Sequence, residues 1–417
     1  MQYQAVRTGL DTILGVPFGV PPTGLNSGNY HVIQNMPNIT PPSIPVPGDG
    51  LPRAINFLAD YGGCSWYRCM APNLMLNLHN KAVIMESTTM ILDPKFYGGV
   101  KAVKIQRQAT PVQREFVKML KSYSQQFGFK LIYEIDDIVF REDIPDYNRN
   151  KEAFVPDEIR QSIVDIIEMC DQVTVTCEFM ADYFKSKTNN KNVTVIPNYL
   201  LKWWFDRYYN LGELVKKFEK NKKKPIVSIF ASGTHIDVIN KVNQQDDFEA
   251  IVQAVIRTRK DFAWQFYGSF PLPLKPFIDS GEIKYVPWVD LPKFPEAMAN
   301  SGTQLAFAAL RDNNFNRAKS NIKLLEGSAL GIPVICPDLC TYKDAMLKYT
   351  TGDELIDQVK YALKDQTKYA SLCKQHREYV EDFWLEDERN MMKFHEAYFL
   401  PYKSSERKYL IDIPYNV

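Results

Sequence analysis

Two lysines and a glutamate stand at spacings of four and three within NNFNRAKSNIKLLEGSALGIPVI, the stretch from Asn313 to Ile335: Lys319, Lys323 and Glu326. Residues three and four apart share one helix face, so a helix opening here would carry all three on one stripe. The chemistry such a stripe offers is anion binding beside hydroxyl recognition. A helix N-terminus presents unpaired N–H groups and a partial positive charge, which two lysines reinforce, and this suits a diphosphate. A glutamate one turn deeper can accept hydrogen bonds from two vicinal hydroxyls, as a ribose presents them. The competing account is a solvated basic face closed by an i,i+3 salt bridge, worth only about 0.2–0.5 kcal/mol.

Three further stretches place polar or glycine residues directly after apolar runs. YEIDDIVF ends one run on Asp136 and Asp137, and a pair that ends a buried strand must turn at least one carboxylate toward whatever lies beyond it; the alternative is a helix cap or loop brace. FASGTHIDVI ends another on Gly233, Thr234 and His235, where the histidine is either a ligand contact or a satisfied turn residue. DYGGCSWYR follows a third, and Gly62 and Gly63 permit close backbone approach to a ligand or simply a tight strand-to-helix turn.

Strand ends must be brought together for these residues to act as one site. Residues 1–50 are rich in Pro, Gly and Asn and read as an extended arm without a core of its own. From 51 to 200, short apolar runs (RAINFLA, KAVIMES, KAVKIQR, KLIYEIDD, QVTVTC, NVTVIPN) alternate with turn chemistry or helix-period segments near Thr110–Gln126 and Pro156–Met169. That alternation predicts a doubly wound parallel sheet. It stops at 201–224, an aromatic stretch LLKWWFDRYY followed by the basic KKFEKNKKK, which reads as a linker. From 225 to 375 it resumes with IVSIFASG, AWQFYG, IKYVPW, TQLAFAAL and PVICP, and a helix is expected near Phe248–Arg259. Helices within 376–417, with the apolar DFWLED, are expected to pack back on the first domain. The fold class is therefore α/β, two Rossmann-like doubly wound domains facing across a cleft, where open sheets bind ligands at the carboxyl ends of their strands.

Composition narrows the function classes. The 417 residues are 45% hydrophobic and 13% aromatic, enough to fill two cores. A formal net charge of +1 supplies no global field toward polyanions, so any nucleic-acid contact needs a local patch. Without an apolar run of roughly 20 residues or a basic-then-apolar start, the expectation is a cytoplasmic protein with no membrane partner. The seven cysteines are odd in number and form no C-x-x-C pair, so reduced thiols are expected rather than a disulfide or zinc framework.

The small residues after Glu326 and the Gly-Ile-Pro-Val turn into a buried strand resemble the nucleotide-sugar motif of retaining GT-B glycosyltransferases. FNRAKSNIKLLE is similar to a variant frequent in phage and bacterial members. The resemblance implies a UDP-sugar donor held by Asn316, Lys319, Ser320, Lys323 and Glu326. The Ser-x-Thr-His of FASGTHIDVI resembles the loop that aims Gly233, Thr234 and His235 at the phosphates. Many such enzymes carry an Arg and a Lys near that loop; their absence here shifts weight to Lys319 and Lys323. Asp136 and Asp137 look like the Asp-Asp of the same relatives, with Asp137 and Lys323 in catalytic roles and Gly62, Gly63 and Asp136 on the acceptor side. No D-x-D triplet occurs, so the resemblance implies no metal and no cofactor beyond the nucleotide sugar. Some phage relatives glycosylate hydroxymethylcytosine in DNA and others a surface glycan, lipid or protein. The phage-like form of these motifs leans the expectation to hydroxymethylated double-stranded DNA, for which the KKFEKNKKK run and the neighbouring aromatics could serve, although such a run is usually a solvated face. A non-catalytic binding protein on the same scaffold is the remaining alternative.

Overall fold

The computed structural model describes residues 7–8, 50–148, 150–151, 156–236 and 246–400. The expected arm at 1–50 and the residues after 400 therefore lie almost wholly outside the described part. Strands β2 (Arg53–Phe57), β3 (Val83–Ser87), β4 (Ala102–Gln106), β5 (Lys130–Glu134), β6 (Gln172–Val175) and β7 (Val193–Val195) form a parallel sheet in the order β3-β2-β4-β5-β6-β7. A two-residue strand β1 (Arg7–Thr8) runs antiparallel along β3. The second sheet is wholly parallel, in the order β10-β9-β8-β11-β12-β13: β8 (Ile226–Phe230), β9 (Ala263–Tyr267), β10 (Lys284–Val286), β11 (Leu305–Phe307), β12 (Val334–Pro337) and β13 (Leu347–Tyr349). The sequence reading passes over β13, whose three residues LKY are too short to show a period.

Local chemistry fixes the helices between these strands. Pro111–Phe127 begins at a capping box in which Thr110 and Gln113 satisfy each other's backbone N–H, and it ends on Gly128 at φ +76°, a left-handed position glycine adopts without strain. Thr351 and Glu354 repeat the capping box for Gly352–Ala362. β4 and β6 are buried at every residue, as expected for central strands covered on both faces.

Each sheet reverses its winding once. In the first, β3 lies on one side of β2 and β4 on the other; in the second, β9 and β11 flank β8 in the same way. Such reversals open a crevice at the carboxyl ends of the strands. The segments leaving β2, β4, β5 and β7 in one domain and β8, β9, β10 and β11 in the other supply most of the residues that line the cleft.

The stretch read as a linker is mostly helix, Lys202–Asp206 and Leu211–Lys220. Trp204 and Phe205 are buried against Trp66, and Phe218 stacks on Tyr369 with ring centroids 4.8 Å apart. These aromatics, together with Trp384, Phe394 and Tyr398, join the inner faces of both domains into one apolar core. The helix Glu388–Phe399 lies against the first domain: Tyr398 donates to Asn73 at 2.8 Å, and Lys130 donates to the carbonyls of Ala397 and Leu400 at 2.7 and 2.9 Å. Among the described residues no helix is long and apolar enough to cross a membrane.

Candidate functional site

The cleft has two adjoining lobes of about 320 and 340 Å³ that share Tyr67, Ser232, Trp288, Ile322 and Lys323 in their walls. The apolar lobe is walled by Tyr61, Tyr67, Phe230, Tyr267, Trp288 and Phe294, with Glu326 at its polar edge. Phe230 and Tyr267 stack at 4.5 Å. Gly268, at φ +85°, passes so close that a Cβ would lie 2.4 Å from the Ala231 carbonyl and 3.2 Å from Trp288. Trp288 itself is 66% exposed and lines both lobes. The polar lobe is walled by Arg107, Asp136, Asp137, Thr234, His235, Lys319 and Ser320.

The segment after β11 does not form one continuous helix. Asn313 caps a short turn, Asn314–Arg317, by accepting from the Asn316 N–H, and the chain then breaks before Ile322–Ala329 begins. Lys319 and Ser320 therefore sit in the connecting turn, and only Lys323 and Glu326 occupy the longer helix. This corrects the single-stripe expectation: the lysines still converge on one cleft, but the kink brings Lys319 there. The longer helix packs tightly on β12, since a Cβ on Gly327 would lie 2.3 Å from Val334 Cγ2.

Both ends of this segment are tied to the opposite domain. Lys319 Nζ donates to both Asp137 oxygens at 2.8 Å, with about four-fifths of each side chain buried. Ser320 Oγ accepts from Asn198 Nδ2 at 2.9 Å; Asn198 in turn accepts from Arg68, which is fully buried and ion-paired with Glu134 at 2.7 Å. Glu326 Oε1 accepts from the Tyr67 hydroxyl at 2.7 Å. Burial raises the Glu326 carboxyl to about 7 despite the opposing Lys323 charge and the Tyr67 bond, and burial also lowers the Lys323 ammonium, which donates to the Phe230 carbonyl at 2.5 Å.

Of the paired aspartates, Asp137 is held by Lys319 and Asp136 faces Arg107 at 3.7 Å. Burial would raise the Asp136 carboxyl, but Arg107 and a Cys64 hydrogen bond hold it below its usual range. Arg107 follows β4 at φ +54°, a strained conformation for a residue with a Cβ, of the kind that clusters at functional sites. His235 Nδ1 lies 2.7 Å from Asp247 Oδ2, and burial lowers its titration although Asp247 opposes this.

Gly62 and Gly63 line the apolar lobe, Gly63 reaching the polar one as well; Thr234 lies in the polar wall, and Gly233 precedes it in the same turn. Asn316 is placed elsewhere. It is fully buried, its Nδ2 donating to Asp247 Oδ1, the Tyr147 hydroxyl and the Arg311 carbonyl, so it braces the wall and does not reach a ligand. Sequence reasoning missed Tyr67, Arg107, Tyr147, Asp247 and Trp288. Arg107 and Trp288 end or follow strands, so the rule that selected Asp136 would have found them. Tyr147 lies in an irregular loop and carried no signal.

No family model matches the chain. No curated relative matches it in sequence either. Solved structures do match in shape: Anabaena HepE in complex with UDP and glucose superposes with a TM-score of 0.54 at 10% identity, over 83% of this chain and 99% of HepE. The HepE complex with UDP-glucose gives the same figures. The fold is GT-B. At this identity the likeness concerns architecture: two facing Rossmann-like domains whose opposed strand ends form the cleft just described.

Proposed function

We propose that the chain is a glycosyltransferase that takes a sugar from a UDP-sugar and passes it, with retention and without a metal ion, to a hydroxyl acceptor. One observation carries the proposal. Glu326, Lys323 and Lys319 lie along a single cleft, with an aromatic lobe at the glutamate end and a polar lobe at the lysine end. The same fold in HepE holds UDP-glucose, which supports the donor class.

In this reading the base lies among Tyr267, Trp288 and Phe294, and Glu326 accepts from the ribose through Oε2 while Tyr67 holds Oε1. The diphosphate enters between Lys319 and Lys323. As the bond from the anomeric carbon to the diphosphate oxygen breaks, the sugar becomes oxocarbenium-like and the leaving group gathers charge that the lysines stabilise. Lys319 turns toward the diphosphate and releases Asp137, which accepts the proton of the attacking hydroxyl. Because Asp137 sits beside the lysine that holds the leaving group, attack comes from the leaving-group face, which supports retention. Two lysine charges beside the diphosphate do the work a divalent ion would otherwise do. Titration of the protein with UDP should give the same affinity with and without a chelator; loss of binding on chelation sinks the metal-free part of the proposal.

The acceptor we propose is a glycan hydroxyl, because Trp204 and Phe205 are committed to the core and none of the lysines from Lys216 to Lys224 lines either lobe. Hydroxymethylcytosine in duplex DNA is the second reading, favoured by the exposure of Lys216, Lys220, Lys222, Lys223 and Lys224 along one stretch. Labelled UDP-sugar offered in parallel to plain DNA, hydroxymethylcytosine DNA and a glycan extract separates them. Label on hydroxymethylcytosine DNA alone overturns the glycan acceptor and leaves the transferase standing.

A further inference from the structure

One buried carboxylate behind the cleft wall, in contact with His235, has no role in the transfer reaction described above. Asp247 is 4% exposed and is the meeting point of four groups. Its Oδ2 lies 2.7 Å from His235 Nδ1. Its Oδ1 accepts from the Tyr147 hydroxyl at 2.6 Å, from Asn316 Nδ2 at 2.6 Å and from the Arg311 backbone N–H at 3.0 Å. Tyr147 belongs to the first domain, whereas the other three belong to the second, so the hub exists only while that first-domain loop is docked.

A carboxylate can only accept, so the group facing it must be Nδ1–H. The tautomer of His235 is thereby fixed, with Nε2 carrying the lone pair. His235 lines the polar lobe with Thr234, Lys319 and Lys323. An unprotonated Nε2 repels a phosphate oxygen, but a protonated one donates to it. The charges around the ring are Asp247 behind it, Lys319 and Lys323 beside it, Asp137 holding Lys319 from the first domain, and the Arg311–Glu249 pair at 3.2 Å flanking Asp247. Burial, and after it the two lysines, disfavour a second proton on the ring against the pull of Asp247. A diphosphate between the lysines offsets their charge and leaves Asp247 as the dominant neighbour.

We propose that Asp247 is a positioning residue that orients His235 and lets it take up a proton when a diphosphate enters, so that His235 donates to the leaving group from Nε2. The proposal rests on the donor reading above. The proton comes from solvent, the added charge is shared between the imidazolium and Asp247, and no covalent bond changes. Tyr147 tempers the carboxylate by donating to its other oxygen, so the first domain sets how readily the proton is bound.

Two measurements on the full chain test this. Calorimetry at pH 7 in buffers of different ionisation enthalpy should show that UDP takes up as much as about one proton more than uridine, whose binding reports the Glu326 contribution alone. Asp247→Asn removes the charge and can turn either its oxygen or its amide nitrogen toward Nδ1, so the excess over uridine should vanish while UDP still binds, several-fold more weakly. Tyr147→Phe should shift the excess to higher pH. An unchanged excess in Asp247→Asn overturns the proposal. The chain has five histidines, few enough for nitrogen-15 correlation spectra to assign the ring tautomers without any ligand. The Nδ1–H form is expected for His235 in the native protein and a mixture in Asp247→Asn. A native Nε2–H form overturns the positioning role whether or not UDP binds, whereas a correct tautomer with no UDP binding overturns the donor reading alone.

Discussion

The two lobes of the cleft are nearly equal in volume and opposite in construction. The apolar lobe is built largely from rings that pack on one another, Phe230 on Tyr267 and Phe294 edge-on to Phe230, with Trp288 beside Gly268 at its rim. The polar lobe is built from charges that hold one another: Lys319 on Asp137, Arg107 on Asp136, Asp247 on His235. A pocket of the first kind is ready for its ligand when empty. One of the second kind has its ionic partners already satisfied, so a ligand must exchange with them. Substitutions in the apolar lobe should therefore change binding, and substitutions in the polar lobe should change turnover.

The largest effect is expected at Asp137, where both halves of this contrast meet. Asp137→Asn removes the proton acceptor and at the same time frees Lys319 from its bidentate partner. Transfer should fall on the order of 10² to 10⁴-fold, while UDP binds as tightly as before or a few-fold more tightly. Steady-state kinetics beside calorimetry checks this; weaker UDP binding with full transfer would reverse the roles assigned to the lobe. Lys323→Ala comes next, at roughly 10² to 10³-fold in turnover, the range for one preorganised group facing developing charge. If only the Michaelis constant moved, Lys323 would anchor the ground state and the contrast between lobes would soften.

How much of this was legible in the sequence follows the same division. Except for the short β1 and β13, the strands of both sheets were readable because central parallel strands are continuous apolar runs, and the helix carrying Lys323 and Glu326 was readable because small residues and Gly-Ile-Pro follow it. The break at 318–321 was not, since Ala318, Lys319 and Ser320 carry no strong breaker and the interruption depends on Asn313 capping a short first turn. The 201–224 stretch shows the limit of composition. Its charge suggested a linker, but alternate sides of the same helix carry lysines to solvent and Leu214 and Phe218 to the core. Cross-domain partners such as Tyr67 for Glu326 and Tyr147 for Asp247 lie 259 and 100 residues apart, and no local pattern announces contacts at that range.

A smaller effect, confined to binding, is expected in the apolar lobe. Glu326→Ala removes charge-assisted hydrogen bonds to the ribose, worth about 1.5–3 kcal/mol, or roughly ten- to a hundredfold in the UDP dissociation constant. Turnover at saturating donor should change far less. An unchanged dissociation constant would return Glu326 to a structural role with Tyr67.

The smallest expected effect is also the sharpest test, because the lobes should respond to pH with opposite sign. Uridine reaches only the apolar lobe, where Glu326 titrates at about 7. Below that pH the carboxyl is protonated, Tyr67 already occupies one oxygen, and the other no longer offers a carboxylate to the ribose. Uridine affinity should rise by at most about tenfold from pH 6 to pH 8, and Glu326→Gln should abolish the rise. The same shift carries a stability consequence: the folded carboxyl titrates above the unfolded one, so its contribution is present below the unfolded value of about 4.3 and is lost as pH rises through about 7. Glu326→Gln should then melt higher than the native protein at pH 8. The diphosphate adds the polar lobe, where binding is helped by a proton on His235. The ratio of UDP to uridine affinity should therefore fall as pH rises over the window in which uridine alone binds better. A ratio that rises with pH would mean that the histidine meets the diphosphate unprotonated, and that Lys319 and Lys323 alone carry the charge of the leaving group.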